Sequence, residues 1–456
     1  PPGLEKVIFY DASFMSLLPS NNATSTISNE VRPIFEDSRE NIWIGTKDGK
    51  VRVYDGNLNE MGILNNRGEV GGGTPLSGIA YCITEDSENN IWIGTKGHGI
   101  YKLTRKEEEH VYDVYHFKND PSDAYSLSNN DVYSIFEDRN KNIWIGTYGG
   151  GLNLIHSSDK SKVINHRNDL SLYPVHQADR VRVISEDKYG NICVGTTLGF
   201  ITFDANFKRP QDIHFKIYTR NNNNPGSIGA NDIIDICTTK SGETYIGTFG
   251  GGVSKIDQTD ENGFPLSFEV FNSADGLSSN IILSIEEDKK GDLWIASEGG
   301  LTKFDRTGQT FENFSEIKRI MKRYNFSENS SSHLRDGRII VGTLRGMIVF
   351  DPQSVKNNRF KPYLALVNFK LFNRSVPISP DGLLKQNINT TDNLVLKHNQ
   401  NSIGIDFAAL DYVDPANILY MYKLEGFDKE WVYVGKQRTA TYTNLSAGEY
   451  LLQVKS

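Results

Sequence analysis

The 456-residue chain has no apolar run that approaches the roughly eighteen residues of a membrane-spanning helix. Its first residues, Pro1-Pro2-Gly3, have none of the features of a signal peptide. We therefore expect any export signal or membrane anchor to lie outside this sequence.

Cysteine is scarce, and basic residues are outnumbered by acidic ones. The three cysteines, Cys82, Cys193 and Cys237, occupy apolar segments far apart in the sequence, which predicts three buried free thiols. Lys and Arg number 49 against 57 Asp and Glu, a formal net charge of −8. This balance argues against a protein whose whole surface binds nucleic acid, but it leaves room for a local basic patch.

Catalytic and metal-binding motifs are absent too. The sequence has no Gly-x-Ser-x-Gly, His-Glu-x-x-His or Cys-x-x-Cys motif, no phosphate-binding loop and no calcium-loop spacing. We therefore predict no catalytic residue, no metal site and no cofactor in this region.

What the sequence does have is an internal repeat. The segment Asn-Ile-Trp-Ile-Gly-Thr at 142–147 recurs with variation along most of the chain. The small residue that follows Trp-Ile marks the period, and it stands at Gly45, Gly94, Gly146, Gly195, Gly247, Ala296 and Gly342. The successive spacings are 49, 52, 49, 52, 49 and 46 residues, so the chain contains seven copies of one unit.

Each copy consists of strand-length apolar segments separated by turns. In the first six copies an apolar segment ends eight residues before the marker, at Asp37, Asp86, Asp138, Asp187, Thr239 and Asp288. A hairpin of constant length that recurs about every fifty residues is typical of propeller blades. A helical solenoid would need a 3.6-residue pattern, and none is present. The sequence predicts an all-β protein that begins with a seven-bladed β-propeller.

We assign residues 1–357 to this propeller. Residues 6–11 resemble the outer strands of later repeats, whereas the seventh repeat ends after 347–350 without an outer strand. We therefore predict that Lys6–Tyr10 pairs with Met347–Phe350 and closes the ring, which removes an open sheet edge.

The repeat stops before residues 358–456, which we assign to a second domain. Strands separated by Asn, Gly and Pro are predicted at 363–372, 393–398, 402–407, 418–424, 439–442 and 449–454. This pattern favours an immunoglobulin-like β-sandwich. Ser456 directly follows a predicted strand, so we expect the sandwich to be incomplete and to continue beyond this sequence.

Several repeated residues invite a functional interpretation but have a simpler structural one. The Glu-Asp pairs at 36–37, 85–86, 137–138, 186–187 and 287–288 could be imagined as the acid and base of a glycosidase. Because neighbouring strand residues point to opposite faces, we assign the pairs to the turn instead. The tryptophans at 43, 92, 144 and 294 are predicted to pack between blades, and the repeated glycines to meet backbone requirements.

These residues resemble a known family. The repeats at 41–55, 90–103, 142–155 and 292–305 resemble the two-component regulator propeller repeat. The segment Tyr420–Trp431, with 442–445 and 448–450, resembles the Tyr-Tyr-Tyr domain that follows such propellers. Together they are similar to the periplasmic sensor region of the hybrid two-component systems with which gut Bacteroidetes detect glycans.

The resemblance implies a periplasmic part of an inner-membrane protein. This part would bind an oligosaccharide and signal to a histidine kinase that controls polysaccharide-utilisation genes. It also implies a homodimer, a second propeller and a membrane and kinase region in the same polypeptide, and no nucleic-acid binding by this region. Two alternatives remain open, a propeller hydrolase or lyase acting on glycans and a protein-interaction scaffold.

A candidate ligand site follows from the alternating strand directions of a blade. The turn between the second and third strands and the connection to the next blade emerge on one face, beside the channel mouth. Aromatic rings suit the C–H surfaces of sugars, and Arg or Lys suits carboxylate or sulfate, so we predict an anionic oligosaccharide there. The candidate residues are Arg32, Tyr81, Tyr133, Arg180, Arg182, Lys47, Lys96, His98, Tyr148, Phe249 and Arg345.

Overall fold

The computed structural model describes residues 13–20, 25–314, 317, 325–355, 363–410 and 418–456. They fall into two compact units, one within residues 13–355 and the other within 363–456. The helical elements with described bounds are an α-helical turn at Val175–Ala178 and 3-10 turns at Pro210–Asp212 and Ile388–Thr390. None of the described helices is long and apolar enough to cross a membrane.

The described residues of the first unit form seven antiparallel sheets, one for each blade. We name the strands A to D from the channel outward. The A strands contact one another in cyclic order, and the A strand of blade 7 contacts that of blade 1, so the ring is closed. The predicted seven-bladed β-propeller is confirmed. The A strands are Val31–Glu36, Ile79–Glu85, Val132–Glu137, Val181–Glu186, Ile233–Thr238, Ile282–Glu287 and Phe326–His333.

The other strands follow in the same blade order. The B strands are Ile42–Thr46, Ile91–Lys96, Ile143–Thr147, Asn191–Thr196, Thr244–Thr248, Leu293–Ser297 and Ile339–Thr343. The C strands are Val51–Tyr54, Gly99–Arg105, Gly151–His156, Phe200–Asp204, Val253–Thr259, Gly300–Asp305 and Gly346–Phe350. The D strands are Glu60–Leu64, Tyr112–Phe117, Asp159–Asn165, Lys216–Tyr218, Pro265–Phe271, Thr310–Phe314 and Phe14–Leu17, and blade 1 adds the short strand Val70–Gly71.

The D strand of blade 7 comes from the amino-terminal part of the chain, but not from the predicted residues. Phe14–Leu17 pairs antiparallel with Met347–Phe350, so this segment closes the ring. Lys6–Tyr10 lies outside the described residues. Phe14 fits this edge because its ring packs against Phe314 at 5.9 Å and Phe350 at 5.1 Å between centroids.

The repeated tryptophans pack between blades, as predicted. Trp144 is completely buried, and its ring lies 4.9 Å from that of Phe203 in blade 4. Trp294 in blade 6 lies 4.7 Å from Phe350 in blade 7. Burying such large aromatic side chains is the dominant favourable contribution to joining neighbouring blades.

The repeated Glu-Asp pairs serve the turns, as predicted. Asp138 Oδ1 accepts hydrogen bonds from the backbone N–H groups of Asn140 and Asn142, both at 2.9 Å. Its Oδ2 accepts from Asn142 Nδ2 at 3.0 Å and from Trp144 Nε1 at 2.8 Å. The adjacent Glu137 instead reaches the hairpin of the preceding blade, where it accepts from the backbone N–H of Ser87 at 2.6 Å. One acid therefore closes its own hairpin, and the other links two blades.

The repeated glycines have a different role from the predicted one. Gly146 is not among the residues with positive φ, so it is not needed for an unusual backbone conformation. A Cβ atom there would lie 2.4 Å from Cγ1 of Val181 in the next blade. Gly94 has the same relation to Val132 at 2.7 Å. The small residue is required because adjacent blades approach closely at this point.

The three cysteines are free thiols, as predicted. Cys193 is fully buried, whereas Cys82 and Cys237 each retain some exposed surface.

The second unit is a β-sandwich with one shared core, and the predicted fold class is confirmed here as well. One sheet has the order Arg374–Ser375, Leu364–Leu371, Ile403–Ala409 and Thr439–Tyr442; the other has Val432–Gly435, Tyr420–Glu425 and Leu451–Lys455. The strand predicted at 393–398 is wrong. Leu394 and Leu396 pack against the core, but the backbone here does not join a sheet. The alternating apolar residues therefore indicate side-chain burial and not a strand.

Candidate ligand site at the channel mouth

The candidate site is built by irregularities at the start of the A strands. In blade 3 the pairing with the B strand shifts between Val132 and Ser134, which leaves Tyr133 as an extra residue. The same shift leaves Tyr81 unpaired in blade 2 and Arg182 unpaired in blade 4. A β-bulge of this kind bends the strand and redirects the extra side chain.

These redirected side chains meet at one cavity, which we call the channel mouth. It has a volume of about 30 Å³ and is lined by Arg32, Tyr81, Tyr133, Arg182, Ile234, Glu328 and Asn329. A cavity of this size holds a water molecule or two but no sugar ring. A larger ligand would therefore lie across the mouth and insert a single group into it.

Three tyrosines form a continuous strip beside the mouth. The rings of Tyr81 and Tyr133 are 4.4 Å apart between centroids, and Tyr133 stacks on Tyr148 at 4.8 Å with an interplanar angle of 23°. Burial, followed by the proximity and hydrogen bond of Tyr81, raises the pKa of the Tyr133 phenol well above its ordinary value. Tyr133 therefore stays uncharged across the physiological pH range, and the strip offers aromatic surface together with hydroxyl groups.

Cationic side chains lie over both ends of this strip. At the Tyr81 end, Arg32 is 5.2 Å and Lys96 is 6.0 Å from the ring centroid. At the Tyr148 end, Arg180 is 5.3 Å and Arg182 is 5.8 Å from the centroid. Cations at such distances are attracted by the negative face of the ring. The result is an aromatic surface bracketed by positive charge.

Glu30 organises the cations at one end. Its carboxylate accepts hydrogen bonds from Arg32 Nη2 and from Lys47 Nζ, the latter at 2.8 Å. Arg32 Nε is buried and has no hydrogen-bond partner among the described residues. A buried donor without a partner is unfavourable by about 1–3 kcal/mol.

Arg182 is held by two carboxylates at the other end. Its Nε and Nη2 donate to the two oxygens of Asp232 at 2.9 and 3.4 Å, and its Nη1 donates to Glu328 Oε2 at 2.9 Å. Burial alone would lower the pKa of Arg182, but Asp232 and Glu328 raise it above its ordinary value. Burial raises the pKa of the Asp232 carboxyl, although Arg182 opposes this. The guanidinium is therefore charged, and its Nε, Nη1 and Nη2 atoms already donate hydrogen bonds to Asp232 and Glu328.

The structure thus gathers eight of the eleven sequence-predicted residues into one connected group. Four line the mouth, three join them through ring contacts, and Lys47 joins through Glu30. The side chains of His98 and Phe249 have no described contact with the group, although the backbone N–H of Phe249 donates to the carbonyl oxygen of Asp232 at 2.8 Å. The backbone carbonyl of His98 lies 2.6 Å from His116 Nε2, Phe249 is exposed, and the backbone N–H of Arg345 donates to Thr343.

Sequence reasoning missed some residues of this group. Glu30 and Asp232 each stand immediately before an A strand, as Arg180 does, so the repeat alignment carried a usable signal for them. Ile234 is the blade 5 counterpart of Tyr133 and Arg182, and it is apolar. Glu328 could not be placed by alignment, because the blade 7 pairing shifts from Phe326 directly to Ser331 and leaves a longer bulge.

A second group of titratable residues lies on the A strands of blades 5 to 7. Burial raises the pKa of Asp235 to about 6, and burial together with Asp235 raises that of Glu286 to about 7. Asp235 accepts from the backbone N–H of Ile285 at 2.7 Å, and Glu286 from Ser331 Oγ at 2.8 Å. The sequence had suggested no such non-repeating carboxyl pair. Neither carboxyl lines the mouth.

No group of three or more His, Cys, Asp or Glu side chains suited to a metal ion occurs within the described ranges.

Comparison with known families gives two matches. The model of the two component regulator propeller matches residues 75–97, 126–149 and 276–299, which lie in blades 2, 3 and 6. The model of the Y_Y_Y domain matches residues 411–456 in the second unit. Both matches agree with the resemblance found in the sequence.

A curated protein with a similar sequence is Histidine kinase P4 of Formosa agariphila. It is 23% identical over 329 residues, which cover 71% of this chain and 23% of the kinase. The chain therefore spans about a quarter of the length of that relative.

Solved structures resemble the fold. Streptogramin B lyase aligns with a TM-score of 0.52 at 13% identity, covering 75% of this chain and 99% of the lyase. The extracellular domain of a proposed hybrid two component system of B. thetaiotaomicron aligns over 96% of this chain and 74% of that domain, at 19% identity and a TM-score of 0.34. At these identities the first likeness concerns the propeller fold alone, and the second carries no structural argument.

The family matches lie on the two units in the order that the sequence resemblance requires. The chain thus carries two component regulator propeller repeats in blades 2, 3 and 6, followed by a Y_Y_Y domain.

Proposed function

We propose that this region binds an anionic oligosaccharide at the channel mouth and signals to a histidine kinase in the same polypeptide. It would act in the periplasm, as part of an inner-membrane protein, and control polysaccharide-utilisation genes. The observation that carries the proposal is the tyrosine strip Tyr81–Tyr133–Tyr148 with arginines over both ends.

The chemistry of the strip favours a sugar ligand with acidic groups. Stacked tyrosines present flat apolar surface, against which the C–H face of a pyranose ring packs, and their hydroxyl groups offer hydrogen bonds. Arg32 lines the mouth, and Arg180 is an exposed guanidinium 5.3 Å from the centroid of the Tyr148 ring. Planar guanidinium groups match the geometry of carboxylate and sulfate.

Signalling would require that the ligand favours one of two arrangements of the full-length sensor. We propose that binding changes how two propellers, or two protomers of a homodimer, are disposed, and that the Y_Y_Y domain relays this change towards the membrane. A ligand can shift such an equilibrium only by its difference in affinity for the two states.

The proposal is tested by titrating the purified chain with neutral, uronate-containing and sulfated oligosaccharides in a calorimeter, while product release is followed by chromatography. We expect a binding heat with acidic members of the panel and no new products. Release of shortened or unsaturated sugars would favour the glycan hydrolase or lyase instead. Absence of any sugar binding would contradict the proposal and favour the protein-interaction scaffold.

A matched pair of variants connects the binding to the mouth. Tyr133→Leu removes the central ring of the strip, whereas Tyr189→Leu removes an exposed tyrosine in the A-to-B hairpin of blade 4. We expect the first change to weaken binding at least tenfold and the second to leave it unchanged, because the proposed sugar ligand stacks on the strip and not on Tyr189. Equal affinities in two folded variants would contradict a site at the mouth.

A further inference from the structure

Arg182 lies between two carboxylates that differ in the number of hydrogen bonds they accept from it and in their exposure to solvent. Asp232 occupies Nε and Nη2 of the guanidinium with both oxygens, whereas Glu328 makes a single hydrogen bond to Nη1 at 2.9 Å. The Glu328 side chain is 42% exposed and that of Asp232 is 31% exposed. Asp232 therefore fixes the orientation of Arg182, and Glu328 is the partner that solvent reaches more easily.

Glu328 also comes from a distant part of the ring. Arg182 and Asp232 belong to blades 4 and 5, while Glu328 belongs to blade 7, 146 residues away from Arg182. Its carboxylate crosses the channel mouth and contributes to the lining of the 30 Å³ cavity. The positive charge of Arg182, which would attract an external anion, is thus already paired with the Glu328 carboxylate of the protein itself.

The bulge that carries Glu328 has several energetically unfavourable features. Asn329 has a φ of 46°, a left-handed conformation that is uncommon for residues other than glycine. The hydroxyl groups of Ser327 and Ser330 are buried and have no hydrogen-bond partner among the described residues. The left-handed backbone and the unpaired buried hydroxyls each make this arrangement less favourable, which lowers the free-energy cost of leaving it.

This inference rests on the proposed anionic-sugar site. We propose that Glu328 competes with the ligand for Arg182, and that an acidic group of the ligand displaces the Glu328 carboxylate. Two carboxylates already surround a single positive charge, so a third anion can approach only when one of them leaves. Glu328 is the one that leaves, because it is held by a single bond in a strained bulge. The mouth then opens, and the ligand carboxylate or sulfate takes the position of the Glu328 carboxylate on Nη1 of Arg182.

Inorganic sulfate tests this inference without knowledge of the glycan. Its affinity is measured by calorimetry at constant ionic strength for the wild-type chain and for Glu328→Ala, which removes the competing charge and frees space. Glu298→Ala is the matched control, because Glu298 is an exposed acid in the B-to-C turn of blade 6 on the same face. We expect Glu328→Ala to bind sulfate about fivefold or more tightly than the wild type, as removal of a partly exposed ion pair predicts, and the control to match the wild type.

The outcomes separate the inference from the proposed function. Adding Arg182→Gln to Glu328→Ala should remove the gain, and Glu328→Gln, which keeps the side-chain volume, should give an intermediate affinity. Wild-type affinity in Glu328→Ala, no measurable sulfate binding by it, or a gain that persists without Arg182 would overturn the inference. If sulfate behaves as expected but no oligosaccharide binds, the proposed sugar ligand is wrong and the displaceable Glu328 stands.

Discussion

The buried hydrogen bonds of the A-to-B hairpin allow a quantitative stability prediction. In Asp138→Asn the side-chain oxygen can still accept from the backbone N–H groups of Asn140 and Asn142. The other oxygen becomes an amide NH₂ group that faces two donors, Trp144 Nε1 at 2.8 Å and Asn142 Nδ2 at 3.0 Å. The change alters neither size nor shape, so its effect reports these two hydrogen bonds.

Hydrogen bonds to charged groups contribute about 1.5–3 kcal/mol each. Both bonds are buried, and Asp138 and Asn142 are each 3% exposed, so water cannot replace the lost acceptor. Asn142 cannot flip its amide without losing the hydrogen bond that its Oδ1 accepts from the backbone N–H of Ser157 at 3.0 Å, and the Trp144 ring is fixed between blades. We therefore expect Asp138→Asn to lower the free energy of unfolding by about 3–4 kcal/mol.

Asp55 provides the matched control. It accepts from the backbone N–H groups of Asn57 and Asn59 and from Asn59 Nδ2 in the same arrangement, but its turn is solvent-exposed and has no tryptophan. We expect Asp55→Asn to have a much smaller effect on the free energy of unfolding, because water can replace the lost acceptor. Both variants are measured by guanidinium unfolding followed by far-ultraviolet circular dichroism. A loss for Asp138→Asn no larger than that for Asp55→Asn would refute the role assigned to the Trp144–Asp138 hydrogen bond.

Three further stability predictions follow. Gly146→Ala should destabilise the propeller by about 1–3 kcal/mol in chemical unfolding, because the added Cβ would lie 2.4 Å from Val181 Cγ1; Gly71→Ala, with no atom within 4 Å of the new Cβ, is the neutral control. Deleting residues 1–17 should lower the melting temperature or cause aggregation, because it exposes the edge of blade 7, whereas deleting residues 1–11 leaves the closing strand Phe14–Leu17 intact. Glu286→Gln should stabilise the protein by about 3 kcal/mol at pH 8, but by less than about 1 kcal/mol at pH 5, in parallel thermal melts.

The sign of the pH effect follows from the direction of the pKa shift. Burial and the neighbouring Asp235 raise the pKa of Glu286 from 4.5 to about 7 in the folded state. Between these values the folded protein binds more protons than the unfolded chain, so the free energy of unfolding falls as the pH rises through this window. Glutamine cannot ionise and avoids that loss. Equal stabilities of the variant and the wild type at pH 8 would show that the pKa of Glu286 is not raised in the folded state.

The propeller and much of the mouth could be predicted because the repeat carries positional information. Once Gly146 and its counterparts fixed the register, Tyr81, Tyr133 and Arg182 fell at the same point of three A strands. The bulge that directs them inward is itself repeated, so position in the repeat was enough to bring them together.

The prediction failed where the repeat is broken. Glu328 lies in the longer bulge of blade 7, so no alignment of repeats could place it across the mouth from Arg182. Residues 6–10 have the stronger strand pattern, but the ring is closed by Phe14–Leu17 because Phe14 contributes to the core beside Trp294 and Phe350. Contacts between parts of the chain that are distant in sequence, rather than local pattern, decided both cases.

The most direct test of a functional anion site at the channel mouth is calorimetric titration of Arg182→Gln with the tightest-binding acidic oligosaccharide of the panel. Arg209→Gln removes the same charge from an exposed guanidinium paired with Asp212 in the C-to-D connection of blade 4, and it serves as the control. We expect Arg182→Gln to weaken binding at least tenfold while the control matches the wild type. Undiminished affinity in a folded Arg182→Gln variant would contradict the site.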